Sequence, residues 1–456
     1  MCLLEKVVDI GQKLKLDFNS KKTQGIVFHR LGEADLYKRV LTIKMNGETI
    51  KVVKSMKYLG VVIDKNLNWN DHVDMLRHRG DLIFSNMARV AKADWGLDSA
   101  AIKDIYEMVF IPKITYAVAA WHVAVDKVRN KRRLLTAQQH AAIRMAKAFH
   151  TISTEALLVI CGLMPIDLLI HSKAQKYRIR KGLTIKIGDT VFQAGTYCIK
   201  PAITDLSSPY DRRPIKEETE TSHQSIKIYT NGSKSEEGVG AAYVVFEDGK
   251  EVAVKQYKLD DRCTVFQAEL LAIKEAVKYC CTHLREKEVL ICTDSRSALD
   301  TLKKYKDDNR TTVKIKKMIK ESTGKGTIQF KWVKAHVGLE GNERADELAK
   351  QAACVSDLDY NELPVLHIKR ELNKKMNQRW QTTWNQSPKG RFTHNILPNI
   401  QERLEDLKWM TIDFITTQML SGHAKCMAYF FKTGKSDSEY CDCENEHQTV
   451  EHLVEH

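Results

Sequence analysis

From Ile226 to Ala353 the chain alternates extended apolar runs with helical spacing, in an order that few architectures can accommodate. Three runs come first, Ile226–Thr230, Val239–Phe246 and Val252–Leu259, and Asp248-Gly249 between the last two suits the positive φ values of a tight hairpin turn. A helical stretch near Thr264 to His283 follows, with Phe266, Leu270, Ile273 and Val277 on one face. Then come Val289–Thr293, two short basic helices, Thr327–Val333 and a last helix that Asn342 is expected to cap. Hairpin-linked strands followed by helix–strand units bury their apolar faces in a mixed sheet with helices packed on it. The expectation for residues 224–354 is therefore an α/β domain built on a mixed five-stranded sheet flanked by helices.

Three acids fall at telling places in that pattern. Glu269 borders the buried stripe of its helix, Asp294 ends the run Val289–Thr293, and Asp346 lies in the first turn of the last helix, where the helix dipole favours a negative group. Carboxylates drawn together from two helices and a strand end are costly unless a cation joins them, and hard divalent ions take oxygen ligands of this kind. Taken singly, each would be an ordinary solvated acid. The words around them carry the weight: Ile228-Tyr229-Thr230-Asn231-Gly232-Ser233-Lys234, Gln267-Ala268-Glu269, Thr293-Asp294-Ser295, Trp332-Val333-Lys334-Ala335-His336 and Gly341-Asn342-Glu343-Arg344-Ala345-Asp346.

The remainder divides by composition. Residues 1–69 mix short β-rich runs with charged turns, as in Gln24–His29, Arg39–Met45 and Met56–Ile63, while residues 70–187 show long helical periodicity with few glycines. Residues 188–223 hold Pro201, Pro209, Pro214 and the acids Glu217, Glu218 and Glu220, a linker composition. Residues 355–456 are polar and helical and end in a Cys/His tail, where Cys441, Cys443, His452 and His456 offer four zinc-capable ligands. A net charge of +14 favours a polyanionic partner, most simply nucleic acid, and no small-molecule substrate is evident. Eleven irregularly placed cysteines and the lack of a charged-then-apolar leader argue against secretion. The most apolar stretch, Glu155–Ile170, contains Pro165 and Asp167 and reads as buried helix, so no membrane span is expected.

The words between Ile228 and Asp346 resemble the ribonuclease H family, in the family's order and spacing. The resemblance implies hydrolysis of RNA in RNA/DNA hybrids with Mg2+ or Mn2+, metal binding by Glu269, Asp294 and Asp346, and a mobile-loop histidine at His336. Asn231 stands where the family has an aspartate that contacts both metals. An amide brings no charge and cannot bridge two ions as a carboxylate does, so cleavage is expected to be weak or absent, and the alternative is a catalytically degenerate remnant that only binds nucleic acid.

Leu14-Lys15-Leu16-Asp17, Lys21-Lys22-Thr23 and Tyr58-Leu59-Gly60-Val61-Val62-Ile63-Asp64 resemble the last palm motifs of reverse transcriptases from LINE-type, non-LTR retrotransposon Pol polyproteins, and Leu67-Asn68-Trp69 the start of the thumb. That likeness implies a palm remnant and a helical thumb ahead of the ribonuclease H-like domain, with Lys22 as a palm lysine and Tyr58, Leu59 and Gly60 as a turn that steadies the primer end. The polymerase aspartates lie upstream of these motifs in the family, so a truncated protein without templated synthesis is expected. Leu420-Ser421-Gly422-His423 and Thr449-Val450-Glu451-His452-Leu453 resemble the tail of the same polyproteins, whose Cys-Cys-His-Cys pattern would place its last cysteine just after His456. The partners implied are RNA/DNA hybrid and element RNA, in a ribonucleoprotein particle of the nucleus or cytoplasm.

Overall fold

The computed structural model describes residues 3–28, 43–87, 96–202, 215, 225–304, 309–322, 327–443 and 446–455. The chain forms two compact units, Gln175–Lys375 and a second made of Met1–Ala174 with Met376–His456.

In the first unit the expected mixed sheet is present. Strands β1 (Ile226–Ser235), β2 (Gly238–Glu247), β3 (Lys250–Leu259), β4 (Val289–Thr293) and β5 (Ile328–Trp332) line up in the order β3-β2-β1-β4-β5. The three amino-terminal strands pair antiparallel as hairpins, with Asp248 at φ +49 and Gly249 at φ +78 turning β2 into β3. The pairs β1–β4 and β4–β5 are parallel and need helical crossovers. These are α1 (Val265–His283) before β4, and α2 (Arg296–Lys303) and α3 (Arg310–Ser322) before β5; α4 (Glu340–Ala353) follows the last strand. A capping box between Thr264 and Gln267 starts α1.

The centre of the sheet is buried on both faces, and β4 accordingly reads as a continuous apolar run. Ile226, Ile228, Val289 and Ile291 pack with Leu270, Ile273 and Val277 of α1 on one face. Tyr229, Val244, Leu290 and Cys292 pack with Ala345, Leu348 and Ala349 of α4 on the other. The alanines of α4 let its backbone come close. At Gly240 of β2, a Cβ would lie 2.6 Å from Ala353 N and 2.9 Å from Ala352 Cβ, so only glycine fits beneath the helix.

The stretch 188–223, expected as a linker, is ordered in its first part. Ile185–Ile187 and Thr190–Phe192 form a hairpin, and Tyr197–Cys198 pairs in parallel with Leu363–Pro364. Phe192 and Tyr197 bury their rings there, which a solvated linker would not do. Most of its acidic part lies outside the described residues.

The second unit is mainly helical. Asn70–Met87, Val128–Ala146 and Thr154–Ile160 surround a core of Phe84, Phe110, Trp121 and Leu134, which also holds Trp380, Trp384, Leu397 and Ile400. Much of the region 355–456 therefore shares a core with residues before 175, because its tryptophans fill that interior. The amino-terminal sheet is reduced, among the described residues, to two-stranded pieces, with an unanticipated helix at Leu3–Lys13; most of the run Arg39–Met45 lies outside them. Glu155–Ile170 is helix and turn with Leu157, Val159, Ile160, Ile166 and Ile170 buried, as expected. No single helix among the described residues is long and apolar enough to cross a bilayer.

Candidate active site

The end of the central strand positions the site. In the register Thr230 lies beside Thr293, so the next residues, Asn231 and Asp294, emerge together where β4 stops. Both follow the side chains of Tyr229 and Cys292 toward the α4 face. Asn231 is 5% exposed, and its Nδ2 donates to Asp294 Oδ2 at 3.5 Å. The same carboxylate oxygen accepts from Nδ2 of Asn342 at 3.2 Å. Two amides thus point their positive ends at one aspartate.

Glu269 arrives from the opposite face, and Gly232 makes room for it. A Cβ at Gly232 would stand 2.5 Å from Glu269 N and 2.8 Å from Ala268 Cβ, so α1 can lie against the strand only above a glycine. The Gly232 N–H donates to the Glu269 carboxylate, whose Oε2 is buried without a partner. Burial, and next the nearby Asp294, push the Glu269 carboxyl up to about 8. Asp346 on α4 completes the group and pairs with Lys350 Nζ at 2.7 Å.

The raised Glu269 value has a consequence for folding. The native state binds its proton between the ordinary carboxyl range and about 8, where the unfolded chain has already released it. Stability contributed by this group is therefore full at acid pH and lost as pH rises through that window. We expect Glu269→Gln to raise Tm relative to the unaltered chain at pH 8, with the gain vanishing near pH 4.5. A uniform gain at both pH values would contradict the assignment.

Of the residues expected from sequence, Asn231, Glu269, Asp294 and Asp346 are brought to one end of the sheet. His336 sits exposed on the loop between β5 and α4, in the left-handed region at φ +54, and makes no hydrogen bond to the other four among the described residues. The helix carrying Asp346 begins earlier than expected. Leu339 occupies the N-cap position and Asn342 lies inside the first turn with its amide on Asp294, which puts Asp346 in the second turn and not the first. Asn342 was legible as part of its motif, but its contact with Asp294 was not. Trp332, at the end of β5, donates from Nε1 to the Asp294 carbonyl at 3.1 Å, and the Arg296 guanidinium lies 5.6 Å from the centre of its ring.

The acceptor set here is all oxygen: three carboxylates, the amide of Asn231, and two buried oxygens without partners, Glu269 Oε2 and Asn342 Oδ1. Such a set suits a hard cation and leaves a buried acceptor unsatisfied in its absence.

In the second unit, Cys441, Cys443 and His452 present ligand atoms all within 4.8 Å of one another, while His456 lies outside the described residues. Gln448 Nε2 donates to Cys441 Sγ at 3.6 Å, and His452 Nδ1 lies 3.2 Å from Glu446 Oε2, an outer carboxylate partner of the kind that orients ligand histidines. Tyr58 ends the first strand of an antiparallel hairpin, Ser55–Tyr58 with Val61–Asp64, and Leu59 and Gly60 form its turn. Leu59 at its tip is 74% exposed with φ +45, and its carbonyl accepts from Tyr116 OH at 3.1 Å. Lys22 is exposed at the end of a short turn, Ser20–Lys22.

The RNase H family profile matches residues 223–354. Beyond it, the chain is 29% identical over 204 residues to a "Retrovirus-related Pol polyprotein from type-1 retrotransposable element R1 4" of Nasonia vitripennis, covering 42% of this chain and 52% of that protein. It is 28% identical over 162 residues to a "Putative 115 kDa protein in type-1 retrotransposable element R1DM" of Drosophila melanogaster, covering 36% of this chain and 16% of that protein. A further Nasonia Pol polyprotein, of element R1 2, is 30% identical over 142 residues, which cover 31% of this chain and 35% of that protein. The chain thus spans about half the length of the first of these relatives and less of the other two.

Proposed function

Starting from a chain related to the Pol polyproteins of non-LTR retrotransposons, with an RNase H domain at residues 223–354, we propose that this domain holds RNA/DNA hybrids and hydrolyses their RNA strand endonucleolytically, with divalent metal, at a rate that Asn231 keeps low. The observation that carries this reading is the oxygen-only group at the strand ends, with Glu269 Oε2 buried and unpartnered. Mg2+ or Mn2+ fits that donor set, held by Glu269, Asp294 and Asp346, with Asn231 adding a neutral amide oxygen once its side chain turns from Asp294. When bound, such ions supply positive charge to the attacking and leaving oxygens of an in-line displacement at phosphorus.

The chain's own residues set how far this goes. Gly232 and the packing of α1 fix Glu269 at the strand end, and Trp332 ties the end of β5 to the Asp294 backbone. From its loop, His336 assists the attacking water or the release of product. Asn231 is the weak member, because it brings an amide where a charge is needed. That favours the second reading too, in which the domain binds hybrid and does not cut. A labelled RNA/DNA hybrid with Mg2+ or Mn2+ separates the two: slow, metal-dependent cutting supports the first, and tight binding without cutting in either metal supports the second. Neither binding nor cutting defeats both.

Two further assignments rest on the second unit. The Ser55–Asp64 hairpin, with Tyr58, Leu59 and Gly60 at its turn, is read as a surface for a primer end on element RNA. Cys441, Cys443 and His452 are read as zinc ligands, completed by His456. Zinc measured by atomic absorption on protein prepared with excess metal should approach one equivalent per chain, and Cys443→Ser should reduce it to roughly a tenth or less. No zinc in the unaltered chain would remove this site.

A further inference from the structure

The helical unit carries a polar trough to which the proposed function assigns no role. Its two compartments, about 550 and 510 Å3, share Thr151, Ser421 and His423 as a dividing wall. Thr151 Oγ1 lies 2.9 Å from His423 Nδ1 and 2.6 Å from Tyr429 OH, and the His423 and Tyr429 rings stand 5.1 Å apart. Tyr429 in turn stacks on Phe149, so the wall is braced from behind.

The first compartment is lined by Gln139, Thr154, Glu155, Lys389 and Thr393. Thr393 is 1% exposed and its hydroxyl has no partner in the protein. A buried hydroxyl left unpaired is costly, and a ligand in this compartment would supply what it lacks. The second compartment is lined by Phe392, Tyr429, Lys432, Thr433 and Glu451. Each therefore presents one ammonium, one carboxylate and threonine hydroxyls, with the half-buried rings of Phe392 and Tyr429 in the second.

Repeated equipment in adjoining compartments suits a ligand that itself repeats. A ligand that is anionic at one point and donates a hydroxyl at the next is the sugar–phosphate backbone of RNA. Lysines meet phosphates, while a carboxylate repels phosphate and is useful only to a donor such as the 2′-hydroxyl. The backbone of DNA has no such hydroxyl to offer the carboxylates. Aromatic rings beside such a groove give an unpaired base a surface to stack on. We propose that this trough binds two consecutive nucleotides of single-stranded RNA, with Lys389 and Lys432 on successive phosphates and Glu155 and Glu451 selecting ribose over deoxyribose.

Fluorescence anisotropy on the whole chain tests this, using a labelled oligouridine about twelve nucleotides long and its deoxythymidine counterpart. The RNA should bind about fivefold or more tightly than the DNA. A Lys389→Ala/Lys432→Ala variant should weaken both and reduce the slope of log Kd against log salt by about 1.4, the share of two phosphate contacts on a single strand. Glu155→Gln/Glu451→Gln should shrink the RNA preference below about twofold while DNA affinity holds or rises. Equal affinity for RNA and DNA in the unaltered chain, a salt slope untouched by the lysine changes, or a preference untouched by the glutamine changes would each overturn the proposal.

Discussion

Asn231→Asp should raise metal-dependent cleavage of an RNA/DNA hybrid by about two to three orders of magnitude. A unit charge at roughly 4 Å from a cation is worth about 4 kcal/mol at the effective dielectric of a partly exposed site, an upper bound near a thousandfold in rate. The change is nearly isosteric, so the strand end and its register should hold. The amide that donates to Asp294 Oδ2 at 3.5 Å becomes a second carboxylate beside it, with Glu269 close by. Without metal the new charge is repelled. The variant should therefore melt below the unaltered chain in chelator and recover more on adding Mn2+ than the unaltered chain does. Asn231→Ala, which adds no charge and removes the amide oxygen, serves as the control and should show no rise. Robust cutting by the unaltered chain, with no rise in the aspartate variant, would defeat the claim that this position limits activity.

Gly232→Ala should destabilise the Gln175–Lys375 unit by about 1–3 kcal/mol or more, the range for a methyl forced into a filled space. The added Cβ would meet the backbone of α1, at 2.5 Å from Glu269 N and 2.8 Å from the Ala268 carbonyl carbon. A flexible side chain could yield there, but a helix backbone held by the apolar face of Leu270, Ile273 and Val277 cannot move alone. The midpoint of urea unfolding should fall at unchanged slope. Gly249→Ala is the comparison: its turn has φ +78 and nothing within 4 Å, so only the backbone penalty applies, about 1 kcal/mol. Equal midpoints for Gly232→Ala and the unaltered chain would show that α1 does not depend on that close approach.

The sheet was legible because its signals are local. Runs such as Val289–Thr293 and the pair Asp248-Gly249 carry their own periodicity and turn chemistry, and the strands formed where those patterns lie. The site was legible as words, since strand ends and helix starts are where convergent acids can sit. What escaped depends on contacts distant in sequence. Asn342 is a plausible cap by spacing, and only the approach of α4 to β4 turns it toward Asp294. Trp380 and Trp384 lie in a stretch that reads as polar and helical, and the fold sets them in one core with Trp121. The pairing of Tyr197–Cys198 with Leu363–Pro364 joins two short segments with no strand period of their own.

That last pairing sets how the RNase H domain is joined to the rest of the chain. The chain enters the domain from Tyr197–Cys198 and leaves it at Leu363–Pro364, and these two doorposts are hydrogen-bonded side by side. A module whose entry and exit already touch can be excised, exchanged or duplicated with little more than a short join, because its removal brings together ends that were never apart. Such a domain has the connections of a detachable cassette, one that can be taken out or replaced whole while the rest of the polypeptide keeps its course.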